Sequence, residues 1–257
     1  MRLVIKVGTS TLAHSTGRIN IRHVETLCKV MSDLKNSGVE VILVSSGAIG
    51  MGVGKLNLSR RPDDMATKQA AAAVGQCELM YTYDKLFSEY NHTVAQILLT
   101  GYDVHNEISF NNFKNTMYRL LELGVLPVIN ENDTVSTEEI GIGDNDTLAA
   151  IVATSVDADL LVLLSDIDGL YTADPHKQKD AKLIDTVTDI SDDIIALGGG
   201  SGSSLGTGGM QSKIKAAQIC IESGCDMIIA NGENPEILYD IADGKKIGTR
   251  FVAKGAK

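Results

Sequence analysis

Short apolar runs alternate along the chain with longer amphipathic stretches. The runs are Leu3 to Val7, Val41 to Val44, Val94 to Leu99, Val125 to Ile129, Leu160 to Leu164 and Met227 to Ala230. Their length and unbroken apolar character predict strands buried on both faces. Between them, residues 20–37, 65–90, 110–123, 146–156 and 210–223 carry helical spacing. Asn20 is placed to cap the first of these helices and Gly38 to stop it, and Gly124 ends the third. Strands separated by helices in this way predict βαβ crossovers. The expected fold is therefore α/β, with a mainly parallel central sheet covered by helices.

The residues that follow each strand share a character. They are Gly8-Thr9-Ser10, Ser45-Ser46-Gly47, Thr100-Gly101, Asn130-Glu131-Asn132-Asp133, Ser165-Asp166 and Asn231-Gly232. In a parallel sheet all these ends meet on one rim, where open α/β sheets bind ligands. Each loop alone is explained by turn formation. Six loops of one character on one rim point to a site without naming it.

Composition excludes several classes. At 257 residues, 44% apolar and 22% charged, the chain suits one sizeable globular domain rather than a disordered or coiled-coil protein. A net charge of -10 leaves no basic surface for replacing counterions on nucleic acid. Cys28, Cys77, Cys220 and Cys225 form no C-x-x-C pair, so neither a zinc site nor a disulfide framework is expected, and the thiols read as buried and free. No signal peptide and no membrane-length apolar stretch is visible, which gives a cytoplasmic expectation with no membrane partner.

Several familiar motifs are missing. There is no Walker A sequence, no G-x-G-x-x-G, and neither of the protein-kinase H-R-D and D-F-G sequences. One G-x-S-x-G match, Gly202 to Gly206, is preceded by glycines rather than a strand, so it does not read as a nucleophile elbow. The five histidines show no metal-ligand spacing.

Two lysines stand out. Lys6 is the one charge in the run Leu-Val-Ile-Lys-Val, and burying a cation is costly unless it is paired. It either snorkels to solvent from a strand end or meets an anion there. The small residues Gly8-Thr9-Ser10 that follow suit close backbone approach to a phosphate. Lys213 falls in the first turn of the helix that starts near Met210, where the macrodipole disfavours a cation by roughly 0.3–1 kcal/mol. A phosphate at that helix start would reverse the penalty, and Thr207-Gly208-Gly209 would supply backbone N–H donors. The glycine stretch Gly198 to Gly209 reads as a ligand loop. Acids and amides cluster at Asn130 to Asp133 and Asp144 to Asp146. This is either a polar loop or a pocket for a zwitterion with an acid that holds the lysines.

These residues resemble the amino acid kinase family, and within it the branch that phosphorylates glutamate. The matching blocks are Lys6 to Ser10, Val44 to Ile49, Lys68-Gln69 with Ala73 to Gln76, Asn130 to Asp133, Gly143 to Asp146, Gly169 to Pro175, and Gly206 to Lys213. They span nearly the whole chain in family order. The resemblance implies a three-layer αβα sandwich in a single domain. Residues up to about 150 would hold the amino acid, and residues from about 151 would hold ATP. Lys6 and Lys213 would stabilise the transferring phosphoryl group, with Asp146 positioning them. Ser46, Asp133 and Asn145 would bind glutamate. Lys6, Gly8, Ser165, Asp166, Tyr171, Thr207, Gly208, Gly209, Met210, Gln211, Ser212 and Lys213 would bind ATP. No residue is assigned to the metal, although Mg²⁺ is implied.

The same resemblance implies the first step of proline biosynthesis, proline as feedback inhibitor, and a homodimer or homotetramer. The PUA domain that many relatives carry is expected to be absent, because the chain stops soon after Phe251. Where relatives often have Thr, this chain has Ser45 and Ser165, which keep a hydroxyl. Two rival readings are a sister kinase with another carboxylate, carbamate or phosphate acceptor, and a non-catalytic nucleotide-binding protein. The Asn130 to Asp133 block counts against the first, and the paired lysines with Asp146 against the second.

Overall fold

The computed structural model describes residues 1–14, 18–136, 141–175, 177–178, 180–199 and 209–253. β1 (Arg2–Val7) leads through α1 (Thr9–Leu12) and α2 (Ile21–Asn36) to β2 (Glu40–Ser45). α3 (Ala48–Lys55) and α4 (Met65–Ser88) precede β3 (Val94–Leu99), and α5 (Gly101–His105) and α6 (Glu107–Glu122) precede β4 (Leu126–Glu131). α7 (Asn145–Ser155) and β5 (Leu160–Ser165) follow, then β6 (Thr186–Val187), α8 (Asp192–Leu197) and α9 (Met210–Glu222). The chain continues through β7 (Asp226–Asn231), α10 (Ile237–Ala242) and β8 (Thr249–Phe251).

Among these residues the strands form one sheet in the order β3-β4-β2-β1-β5-β7-β8-β6. Every pairing is parallel except β7 with β8. The six expected strands are all present. β6 and β8 were not expected, because two or three residues are too few to show a period. α3 was also unexpected. Its glycines, in Ala-Ile-Gly-Met-Gly-Val-Gly-Lys, argue against a helix on propensity. Packing explains them: a Cβ at Gly52 would overlap the Ala71 carbonyl oxygen, and one at Gly75 would overlap that of Ala48. The two helices touch backbone to backbone, and only glycine allows that approach.

Strand alternation divides the core into two layers. Val4 of β1, with Val44, Leu161 and Leu163, packs under Phe113 and Met117 of α6 and the apolar faces of α7 and α9. Leu3, Ile5 and Val7 face the other way, toward α2, α4 and α10. By this parity Lys6 lies on the α7–α9 side, at the carboxyl end of β1. β1 also marks the topological switch point. The chain runs outward from it through β2 to β4 on one side, then returns to build β5 and β7 on the other. The crevice at this reversal is where open α/β sheets place ligands.

Three of the four cysteines are buried and free as expected; Cys77 is free but exposed on α4.

Candidate active site

Lys6, Asp146 and Lys213 meet at this switch point. Lys6 Nζ lies 2.6 Å from Asp146 Oδ1, and Lys213 Nζ donates to Asp146 Oδ2 at 3.0 Å. Ser212 Oγ is within 2.8 Å of the same Oδ2. All three charged residues are buried, at 8%, 1% and 6% exposure respectively. Asp146 sits in the first turn of α7, where the helix dipole favours a carboxylate. Asp144 caps that helix by accepting from the Thr147 N–H at 2.7 Å. Burial alone would push the Asp146 carboxyl up, but Lys6 and Lys213 outweigh it and hold the group down at about 2.

The trio carries two positive charges against one negative, so it is short of an anion. The surroundings favour one. The N-cap of α9 is Gly209, which has no side chain to cap the first N–H groups. Gly8 lies beside Lys6, whose Nζ is 3.7 Å from where a Cβ would project. Met210 and Gln211 open α9 on the same turn as Lys213. Thr207, Gly208 and most of the glycine loop lie outside the described residues.

On the β5–β7 side of the crevice, Ser165 ends β5 and its Oγ donates to Asp166 Oδ1 at 3.2 Å. Gly232 N–H donates to the Ser165 carbonyl at 2.7 Å. The Tyr171 hydroxyl donates to Asp168 Oδ2 at 2.9 Å, while Asn231 Nδ2 donates to Asp168 Oδ1 at 2.8 Å. Asp168 thus ties the Tyr171 segment to the end of β7.

On the β2–β4 side, Asn145 Nδ2 donates to Ser46 Oγ at 2.7 Å and to Asn130 Oδ1 at 3.0 Å. Asn145 Oδ1 is buried and, among the described residues, accepts from no protein group. Gly47, which follows Ser46, has φ 103°, a left-handed conformation that favours glycine and turns the chain into α3. Asp133 lies in the turn after β4. Burial, reinforced by Glu131, raises its carboxyl to about 6 despite the opposing charge of Arg61. A half-buried acid held up in this way would welcome a cation.

The structure therefore joins Lys6, Asp146, Lys213 and Ser212 directly, and Ser46 with Asn145. Asn145 and Asp146, as chain neighbours, link the two groups. Sequence reading named Asn130 but missed Arg61 and the amides Gln76 and Gln96 behind it. Gln76 donates to Gln96 Oε1 at 3.3 Å and accepts from Asn130 Nδ2 at 3.0 Å. One signal was available: Gln76 shares a helical face with Ala72, Leu79 and Tyr83, all buried. Ser45 points away from the crevice, and its hydroxyl pairs with Tyr83 at 2.8 Å on the opposite face of the sheet.

A parallel α/β sheet with two buried cations gathered on one acid at its switch point defines a phosphoryl-transfer class of site. The chain belongs to the amino acid kinase family, which it matches over residues 1–231. Its sequence is 54% identical to a glutamate 5-kinase from Clostridium perfringens, covering 98% of this chain and 96% of that one. It is also 54% identical to one from Caldanaerobacter subterraneus, covering 98% of this chain and 68% of that protein. Among solved structures, a carbamate kinase from Giardia lamblia bound to AMP-PNP shares the fold at TM-score 0.69 and 17% identity, covering 98% of each chain. UMP kinase from Bacillus anthracis does so at 0.67 and 16%, covering 99% of this chain and 96% of that one.

Proposed function

We propose that this protein transfers the γ-phosphoryl group of ATP to the side-chain carboxylate of L-glutamate, giving L-glutamyl 5-phosphate and ADP. The observation that carries the reading is the buried Lys6–Asp146–Lys213 trio, with its uncompensated positive charge at the start of α9. The high identity to proteins named glutamate 5-kinase supports the choice of acceptor.

The chemistry asks little of the protein in proton transfer. A glutamate side chain, with an ordinary pKa near ~4.3, is already ionised at neutral pH. One carboxylate oxygen attacks the γ-phosphorus, the bond to the β,γ-bridging oxygen breaks, and ADP leaves with that electron pair. What remains is alignment and charge neutralisation. Lys6 and Lys213 supply cations on the γ-phosphoryl oxygens, and Gly8 and the α9 N-terminus supply N–H donors. Ionised Asp146 spaces the two ammonium groups, and Ser212 steadies it.

We assign Ser46, Asn145 and Asp133 to glutamate. The acceptor Asn145 Oδ1 and the acid Asp133 suit its ammonium group. Ser165, Asp166, Tyr171 and the stretch from Thr207 to Lys213 are assigned to the nucleotide. The substrate half is thus residues up to about 150 and the nucleotide half the rest. Among the described residues no group of three His, Cys, Asp or Glu side chains is placed to hold a metal. Mg²⁺ would arrive on the ATP phosphates, where it would neutralise charge. The family likeness extends the reading to the first step of proline biosynthesis, cytoplasmic location, inhibition by proline, and a homodimer or homotetramer. No described helix is long and apolar enough to cross a membrane.

The test is acceptor-dependent ADP release with Mg²⁺ and a panel of glutamate, aspartate, acetylglutamate, carbamate and UMP, with hydroxylamine trapping of the acyl phosphate. Glutamate alone should give ADP and the hydroxamate. Turnover with another acceptor, or ATP binding with no acceptor-dependent ADP, overturns the reading.

A further inference from the structure

The segment that carries Tyr171 is paired with a second stretch of chain before it meets the sheet. Ile184 N–H donates to the Leu170 carbonyl at 2.8 Å, and Thr172 N–H donates to the Lys182 carbonyl at 2.9 Å. Tyr171 stands opposite Leu183 in an antiparallel bridge between them. These bonds join two arms, residues 169–172 and 182–184, to each other. Neither uses the Leu170 N–H or the Ile184 carbonyl, and both of those groups are met by one atom. Leu170 N–H donates to Thr249 Oγ1 at 2.7 Å, and that hydroxyl donates to the Ile184 carbonyl at 2.6 Å.

A hydroxyl can accept and donate at once from so small a side chain. Thr249 is 0% exposed and Leu170 1%, so bulk water does not reach the contact. The backbone is shaped to admit it. A Cβ at Gly169 would lie 2.5 Å from Thr249 Oγ1. Gly248, just before Thr249, has φ 63°, and a Cβ there would lie 2.0 Å from the Ile229 carbonyl oxygen of β7. The 182–184 arm has a further tie to β8 close by, because Arg250 N–H donates to the Asp185 carbonyl at 2.9 Å. The 169–172 arm meets β8 through Leu170 and Thr249. Asp168 ties the Tyr171 hydroxyl to Asn231, but gives the Leu170 N–H no acceptor.

We infer that Thr249 is a positioning residue for the nucleotide: its one hydroxyl clamps both arms against β8 and so fixes the backbone that presents Tyr171. This rests on the assignment of Tyr171 to ATP in the proposed function. Without the hydroxyl, a buried donor and a buried acceptor lose their partner together. Such groups are costly to leave unpaired, and the 169–172 arm relieves the cost by drawing away from β8. Tyr171, the next residue after Leu170, moves with it. The residues assigned to glutamate stand on the β2–β4 side of the crevice and keep their own bonds.

The experiment is steady-state kinetics of the full chain with Thr249→Val, Thr249→Ser, Tyr171→Ala and the Thr249→Val/Tyr171→Ala double variant. Valine keeps the shape of threonine without the hydroxyl, and serine keeps the hydroxyl. Thr249→Val should raise the ATP KM about tenfold, the size expected for a buried hydrogen-bonding group left unpaired, with the glutamate KM within about twofold of the parent. Thr249→Ser should recover most of that loss. In the Tyr171→Ala background Thr249→Val should add much less than it does alone. Equal effects of valine and serine, a parallel rise in both KM values, or full additivity in the double variant would overturn the inference. Should Thr249→Val not fold, Thr249→Ala leaves room for a water to bridge the two groups and should give a smaller rise in the ATP KM alone; no such rise overturns the inference equally. If Tyr171→Ala raises the ATP KM but Thr249→Val does not, the positioning role falls while the nucleotide assignment stands. If Tyr171→Ala leaves the ATP KM unchanged, the Tyr171 assignment falls and takes the inference with it. A parent with no glutamate-dependent ADP release brings down the proposed function itself.

Discussion

Lys6 Nζ and Lys213 Nζ sit on opposite oxygens of the Asp146 carboxylate, at 2.6 and 3.0 Å. They come from residues far apart in the chain and from different layers, a strand and a helix. The carboxylate between them sets their spacing. A phosphoryl group meeting both ammonium groups would be held from two directions by charges that are themselves buried.

Replacing Lys213 by alanine removes one of these cations and leaves Asp146 paired with Lys6. Loss of a preorganised charge at a transition state costs about 10²–10³ in kcat. Lys213→Ala should lose at least that much, while ATP still binds measurably by calorimetry. An unchanged kcat would show that Lys213 has no part in the chemistry.

Asp146→Asn probes the same trio from its centre. It leaves two buried ammonium groups without an anion, a change that typically costs about 3–5 kcal/mol. The thermal midpoint of the nucleotide-free variant should fall clearly below the parent's, and Mg-ATP should restore more of it than it adds to the parent. The pH dependence has a definite sign. The folded pKa of about 2 lies below the unfolded value near ~3.9. The stabilisation is therefore complete above pH ~4 and lost as pH falls through about 2. The asparagine variant should lack this acid-side component in a pH series of unfolding midpoints.

How much of this could be read from the chain differs residue by residue. Lys6 was legible because a lone charge in an apolar strand needs a partner. Lys213 was legible because a cation in a helix's first turn is out of place. That both would reach one carboxylate was not derivable from spacing, since it depends on strand order and on which face of β1 Lys6 takes. The family resemblance supplied it. α3 was hidden because its glycines serve a contact with α4 that no local pattern announces. The Gln76 contacts were hidden for a similar reason: its partners Asn130 and Gln96 are brought together only by the pairing of β3 with β4. The Asp133 shift likewise follows from burial beside Glu131 in a turn, which neighbours in sequence suggest but do not establish.

The α3–α4 contact makes a prediction about stability that reaches the site. A Cβ at Gly75 would strike the Ala48 carbonyl, and Ala48 opens α3 directly after Ser46 and Gly47. Overpacking of this kind typically costs about 1–3 kcal/mol. Gly75→Ala should lower the denaturant midpoint accordingly. Because the forced shift moves the Ser46 end of α3, the glutamate KM should rise while the ATP KM changes little. A destabilised variant with unchanged glutamate KM would mean that the loop at Ser46 is held independently of α3.

Asp133 gives the clearest pH signature near neutrality. Its folded pKa of about 6 is raised above the unfolded value near ~3.9, by burial first and by Glu131 second, with Arg61 opposing. Its ionised form is thus disfavoured in the empty protein, and this group costs stability increasingly as pH rises through that interval. A substrate ammonium beside it would repay that cost by pairing with the carboxylate. The glutamate KM should therefore fall as pH rises from 5 to 7, with an apparent pKa near 6, while the ATP KM follows no such curve. Asp133→Asn should flatten the curve and raise the glutamate KM at pH 7. The same variant should unfold no more easily than the parent above pH 6, because it removes a disfavoured charge. That pairing of weaker substrate binding with undiminished stability is what separates a binding acid from a structural one; a variant that loses stability with the glutamate KM unchanged would place Asp133 in the scaffold instead.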